Sequence, residues 1–132
     1  MNKKDAKGLT ILVAEDDEML RSMIAEMLER GGYRVLAVED GQAAWEKISK
    51  IGADIAVLDC NMPRLGGLAL TKRLRKDPRF SAMPILMLTV KSMVEDQLTG
   101  YGSGVDDYLP KPFDENVLLA RVKVLARRIL GG

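Results

Sequence analysis

The sequence predicts an α/β protein built on a parallel sheet. Two observations carry this. Short β-rich apolar runs alternate with stretches of helical periodicity five times along the chain, and the central run, Ile55-Ala56-Val57-Leu58-Asp59, stays apolar up to its last residue. Strands separated by helical patterns imply right-handed crossovers, with helices on both faces of the sheet. An unbroken apolar run bounded by turn residues suits a strand buried on both sides. The 132 residues are enough for one domain with one core and too few for two ordinary ones.

Each element has its own signal. Thr10 to Ala14 is a β-rich run and the first strand. The acids Glu15-Asp16-Asp17-Glu18 follow at once, and then Met19, Leu20, Met23, Ile24, Met27 and Leu28 recur at helical spacing. Gly31-Gly32 ends that helix, one of the two in the left-handed cap. Arg34 to Val38 is the second strand, and Asp40-Gly41 is a turn and helix entry. Ala44, Ile48 and Ile51 mark one face of the second helix, with Trp45 beside it and Gly52 closing it. The third strand is Ile55 to Asp59. Pro63 and Gly66-Gly67 break the chain before a third helix carrying Leu70 and Leu74, which runs out at Lys76-Asp77-Pro78.

Pro84 introduces a fourth strand, Ile85 to Leu88, with Thr89 at its end. Ser92 to about Tyr101 reads as a weaker helix, because Met93, Val94 and Leu98 are its few apolar positions. Gly102-Ser103-Gly104 is a turn, and Val105 to Leu109 is the fifth strand, followed by Pro110-Lys111-Pro112. Asp114 can cap a last helix with Leu118, Val122, Leu125 and Ile129 inward and Arg121, Lys123, Arg127 and Arg128 outward, a solvated face. The expected organisation is a tail over residues 1–8 and one domain over 9–130.

Composition narrows the function. Apolar residues make up 47% and charged residues 30%, as in ordinary globular chains. A net charge of +1 argues against a broad basic surface for nucleic acid. No apolar run reaches the ~18 residues of a membrane span, and the polar start of the chain does not resemble a secretory signal. A lone cysteine, Cys60, cannot form an internal disulfide and reads as a small packed residue, so the expected compartment is the cytoplasm. The chain has no histidine, which excludes a histidine phosphocarrier, a histidine general base and a histidine-rich zinc site.

Chemistry is expected at the carboxyl ends of the strands. Glu15 and Asp16 follow the first strand, Asp59 ends the third, Thr89 the fourth, and Lys111 follows the fifth. In a five-stranded sheet of order 2-1-3-4-5 the ligand crevice opens between strands one and three, which supply the acids. Carboxylates ~4 Å apart repel by roughly 4 kcal/mol per pair at an effective dielectric of about 20. A bound cation offsets this, and an all-oxygen acidic cluster favours a hard one, Mg²⁺ best. Asp59, at the carboxyl end of a central strand, reads as a nucleophile that accepts a phosphoryl group, and that transfer needs positive charge around the oxygens involved: Lys111 supplies one charge, Mg²⁺ a second, and the Thr89 hydroxyl a hydrogen bond.

These features together resemble a response-regulator receiver domain of two-component signalling, over nearly the whole chain. The resemblance rests on Ile11-Leu12-Val13-Ala14-Glu15-Asp16-Asp17-Glu18, Leu58-Asp59-Cys60-Asn61-Met62-Pro63, Leu88-Thr89 and Asp107-Tyr108-Leu109-Pro110-Lys111-Pro112-Phe113. Asp59 and Thr89 are 30 residues apart and Lys111 lies 22 further on, as in that family. The resemblance implies a flavodoxin-like, doubly wound three-layer sandwich and a signalling domain rather than an enzyme. Asp59 would take a phosphoryl group from a sensor histidine kinase or a histidine phosphotransfer protein. Asp16 and Asp59 would ligate Mg²⁺ directly, Glu15 through water and Asn61 through its backbone carbonyl. Thr89 would reach for the phosphoryl group, Tyr108 would swing in behind it and Lys111 would pair with it, and a downstream effector would read the altered surface. A cis Lys111-Pro112 bond is also implied. Neither nucleic acid nor membrane binding is expected of this domain, and a phosphorylation-dependent dimer is left open.

Plainer readings stand beside these. Asp17 and Glu18 suit a solvated first helical turn, so the acidic run leaves its register open. Thr89 could be an ordinary strand residue, Tyr108 a core edge, and Asp106-Asp107 a turn-to-strand feature. Lys91 either brushes the phosphoryl site or faces solvent. The methionines fall on apolar faces. A magnesium phosphatase working through an aspartyl phosphate would need a second acid two residues after the nucleophile, where this chain has Asn61. An FMN carrier of the same fold would meet repulsion from Glu15-Asp16-Asp17-Glu18, and no Walker loop is present.

Overall fold

Alternation along each strand divides the apolar residues between two faces, and two cores result. The computed structural model describes residues 8–90 and 104–131. Within them the strands are β1 (Thr10–Ala14), β2 (Arg34–Val38), β3 (Ile55–Asp59), β4 (Ile85–Val90) and β5 (Asp107–Lys111). The helices are α1 (Glu18–Arg30), α2 (Gly41–Ile51), α3 (Gly67–Lys76) and α4 (Glu115–Leu130). All the strands pair in parallel, in the order β2-β1-β3-β4-β5. Ile11, Val13, Ile55, Val57, Leu86 and Leu88 meet Ile24 and Leu28 of α1 and Leu118, Val122 and Leu125 of α4. Leu12, Ala14, Ala56, Leu58, Ile85 and Met87 meet Ala44 and Ile48 of α2 and Leu70 and Leu74 of α3. The expected flavodoxin-like three-layer arrangement is therefore present, with β3 buried along its whole length at the centre.

Helix entries follow the expected chemistry. Asp17, Asp40 and Asp114 cap α1, α2 and α4, accepting from the backbone N–H of Leu20, Ala43 and Val117 respectively. Gly32 takes φ +96° after α1, and the Lys111-Pro112 bond is cis.

Several expectations change. The fourth strand continues through Thr89 and Val90, and the fifth spans Asp107–Lys111 rather than Val105–Leu109. Pro110 is accommodated because β5 is an edge strand bonded only to β4, so its missing N–H breaks no inner ladder. Ile51 is 64% exposed, as the last residue of α2, before the Gly52 cap. Met19 is 75% exposed, and Met23 is also exposed, because the inward stripe of α1 is Leu20, Ile24, Met27 and Leu28. Arg121 and Arg128 are exposed as expected, and they also pair with Asp107 at 3.0 Å and Asp106 at 2.7 Å. Lys91, the helix expected from Ser92 to about Tyr101, Gly102-Ser103, residues 1–7 and Gly132 lie outside the described residues.

Candidate functional site

Strand alternation continues past the apolar runs of β1 and β3, from Val13 to Glu15 and from Val57 to Asp59. Both acids therefore emerge at the carboxyl edge of neighbouring strands, where an open parallel sheet binds ligands. Glu15 is 1% exposed and Asp59 6% exposed. Asp16, the next residue, stands exposed at the rim. Carboxylate oxygens of Glu15, Asp16 and Asp59 all lie within 4.8 Å of one another. Asp17 turns away to cap α1, and Glu18 begins the helix, so Glu15 and Asp16 are the two acids of the run that lie beside Asp59.

Lys111 reaches the same point from β5. Its Nζ donates to Glu15 Oε1 at 2.9 Å and lies 2.9 Å from Asp59 Oδ1. The second oxygen of Glu15 accepts from the Asp17 backbone N–H at 3.0 Å. The main chain of Glu15 is pinned as well: its N–H donates to Val38 O at 3.1 Å, and its carbonyl accepts from Arg21 Nη1 at 2.9 Å.

These contacts set the proton affinities. Burial raises the Asp59 carboxyl above its ordinary value, the Lys111 hydrogen bond pulls it back, and the charge of Asp16 adds to the rise. Burial also raises Glu15, opposed by the hydrogen bonds from Lys111 and the Asp17 amide and reinforced by the charge of Asp59. Burial works against the Lys111 ammonium, but its bonds to Glu15 and Asp59 outweigh this and hold its pKa above the usual lysine value.

The loop from Asp59 to α3 is held by close backbone approach. Cys60 N–H donates to Leu88 O at 2.9 Å, and Gly67 N–H donates to Cys60 O at 3.0 Å. A Cβ on Gly67 would sit 2.4 Å from the Asp59 carbonyl oxygen. Cys60 itself is buried in the α2–α3 core, as a packed residue.

Of the expected site residues, Glu15, Asp16, Asp59 and Lys111 converge. Thr89 is buried on β4, one residue past Leu88, the register partner of Asp59. Tyr108 is half-buried on β5 opposite Met87 and packs on the α2–α3 core. Asn61 is exposed in the loop after β3. Reading the sequence did not anticipate that Lys111 bridges the two buried acids, that Arg21 holds the Glu15 carbonyl, or that Arg64 pairs with Asp40. No spacing rule announces such contacts, since the partners lie on different elements.

The donor set fits a hard divalent cation. It is all carboxylate oxygen, has one member open to solvent, and sits within reach of a single ion. Mg²⁺ suits such a site because it binds through one or two carboxylates and keeps waters that phosphate oxygens can replace.

Comparison with known proteins agrees with this geometry. The family model described as the response regulator receiver domain matches residues 11–123. The chain is 38% identical over 118 residues to the DNA-binding dual master transcriptional regulator RpaA of Synechocystis, covering 89% of this chain and 49% of that protein. It thus spans about half the length of the curated relatives it matches. Among solved structures, the receiver domain of the Francisella response regulator 1452 superposes with a TM-score of 0.82 at 35% identity, covering 91% of this chain and 98% of that one. The receiver domain of the sensor histidine kinase PA1611 from Pseudomonas aeruginosa, which carries a magnesium ion in its active-site cleft, superposes with a TM-score of 0.78 at 31% identity over 94% of this chain and 98% of that one.

Proposed function

The chain belongs to the response-regulator receiver family of two-component systems, and from that membership we propose that it is a phosphoacceptor switch in which Asp59 carries the phosphoryl group. The observation that carries the reading is the convergence of Glu15, Asp16, Asp59 and Lys111 on one point of the sheet edge. Asp16 and Asp59 would hold Mg²⁺ directly, Glu15 through water and Asn61 through its backbone carbonyl. When bound, Mg²⁺ would neutralise charge on the phosphoryl oxygens and so favour attack by the carboxylate.

The protein's own groups do the rest. An Asp59 carboxylate oxygen forms the bond to phosphorus of a phosphohistidine on a sensor kinase or histidine phosphotransfer protein. The phosphorus–nitrogen bond breaks, and its electron pair returns to the imidazole, which is protonated from solvent. Lys111 releases Asp59 and pairs with the transferred group. The Thr89 hydroxyl donates to a phosphoryl oxygen. Tyr108 follows inward, and the surface around β4 and β5 presents a new face to an effector. The added charge of about −1.5 to −2 biases a two-state equilibrium. The chain acts as a signalling domain and catalyses only its own phosphorylation and dephosphorylation. Its expected site of action is the cytoplasm, consistent with a lone cysteine; among the described residues no helix is long and apolar enough to cross a membrane.

Incubation with a small acyl phosphate and Mg²⁺ tests this. The wild-type chain gains one phosphoryl group and Asp59→Asn gains none; undiminished labelling of Asp59→Asn would place the chemistry elsewhere.

A further inference from the structure

The loop between β3 and α3 contains an unusual residue. Arg64 has φ +64°, the one non-glycine residue in the left-handed region among those described. A long β-unbranched side chain gains nothing locally from that conformation, which favours glycine or asparagine. Something beyond the backbone must hold it there. The Arg64 guanidinium donates to Asp40 Oδ2 from Nε at 3.0 Å and again from Nη2. Asp40 is buried and already committed: its other oxygen accepts from Ala43 N–H at 2.8 Å and caps α2. Beside the pair, a Cβ on Gly41 would come 1.9 Å from the carbonyl oxygen of Leu65, so the loop backbone lies directly on the start of α2.

These contacts connect distant parts of one mechanism. The same loop begins at Asp59, carries Asn61, and is anchored near its ends by the bonds of Cys60 to Leu88 and of Gly67 to Cys60. Its tip is tied through Arg64 to a buried acid on another element. Asp40 in turn follows Val38 by two residues, and the Val38 carbonyl holds the Glu15 amide. One chain of contacts thus runs from the Asn61 loop, through Arg64 and Asp40, to the strand that pins Glu15.

We propose that the Arg64–Asp40 ion pair is a positioning tie for the metal site: it holds the β3–α3 loop against α2 so that the Asn61 backbone carbonyl is presented to the divalent ion. This rests on the proposed function. Arg64 touches neither ion nor phosphoryl group; it acts by fixing the main chain between Asp59 and α3. Outer supports of metal ligands commonly change affinity by tenfold or more when removed.

Three variants separate tie from backbone. Arg64→Gln keeps the strained φ and loses the charge, Arg64→Gly relieves the strain and loses the tie, and Arg64→Lys keeps a charge that can reach Asp40. Mg²⁺ affinity is read by calorimetric titration, and amide exchange at Asn61 to Leu65 is read on metal-free protein. The expected result is about a tenfold loss of Mg²⁺ affinity in both Arg64→Gln and Arg64→Gly, with faster exchange in the loop and partial recovery in Arg64→Lys. Wild-type affinity and exchange in Arg64→Gln and Arg64→Gly would overturn the tie while leaving the proposed function standing. Weak binding in Arg64→Gln with wild-type binding in Arg64→Gly would also overturn it, because backbone strain alone would then account for the loss. A wild-type chain that binds no Mg²⁺ would overturn both.

Discussion

Lys111 Nζ lies 2.9 Å from Asp59 Oδ1, and the same ammonium binds Glu15. One ammonium therefore sits between two acids whose pKa values burial raises. Buried charged groups usually contribute little net stabilisation.

Removing the Asp59 charge should therefore stabilise the metal-free chain. Its pKa is raised in the folded state above the ordinary 3.8. Between the unfolded and folded values the native chain binds more protons than the unfolded chain. The stabilisation from protonated Asp59 is thus complete below the unfolded value and lost as pH rises through the folded one. Asp59→Asn cannot ionise and keeps it. Thermal melts in a chelator should show Asp59→Asn ahead at pH 7 by about 4 °C, roughly 1 kcal/mol, with the gap closing toward pH 4. A gap of the same size at both pH values would contradict the assignment.

Asp40 should behave with the opposite sign. The Ala43 amide, followed by the Arg64 guanidinium, lowers its pKa below 3.8 against the effect of burial. Its contribution is present above the unfolded value and lost as pH falls through the folded one. Asp40→Ala should cost about 1 to 2 kcal/mol in urea unfolding at pH 7, through the lost cap. At pH values below the folded pKa the two proteins should converge; a constant difference down to strong acid would argue against a charged cap.

Gly67→Ala tests the packing under Asp59. The new Cβ would meet the Asp59 carbonyl oxygen at 2.4 Å and Met87 Sδ at 2.7 Å. Only the sulfur can move easily. The expected cost is about 1 to 3 kcal/mol, with slower labelling by an acyl phosphate as Asp59 is displaced. Unchanged stability and labelling would show that the loop yields freely.

Much of this was legible in the order of residues. Ile55 to Asp59 announced a buried strand because every side chain is apolar until the carboxylate, and that strand has the expected bounds. The helix entry at Asp40-Gly41, the cap at Asp114 and the chain break that precedes α3 at Gly66 follow from local chemistry, which a sequence displays directly. What stayed hidden depends on partners far away in the chain. Pro110 reads as the end of a strand, yet β5 runs through it because an edge strand needs bonds on one side only. Ile51 shares the angular stripe of Ala44 and Ile48, but it stands exposed at the last position of α2. Arg121 reads as a solvated arginine until Asp107 is placed beside it.

Arg75 shows the same limit and yields a prediction. On sequence it is one of several cations near the end of α3. In the fold it donates to the carbonyls of Gly104 at 2.9 Å, Phe80 at 3.3 Å, Ser81 at 3.2 Å and Met83 at 2.7 Å, and to Asp106 at 3.0 Å. One guanidinium joins the end of α3, the turn before β4 and the entry to β5. Arg75→Met keeps the aliphatic stem and should destabilise by about 2 to 4 kcal/mol, because several acceptors lose a charged donor. A loss under half a kcal/mol in urea unfolding would show that water replaces it.

The most direct measurement locates the phosphoryl group itself. The chain is labelled with an acyl phosphate and Mg²⁺, reduced with borohydride, which converts an aspartyl phosphate to homoserine, and mapped by peptide mass spectrometry. Homoserine at position 59, and no conversion when Mg²⁺ is chelated, is the predicted result. Conversion at Asp16 or another acid, or equal conversion with the metal removed, would contradict it.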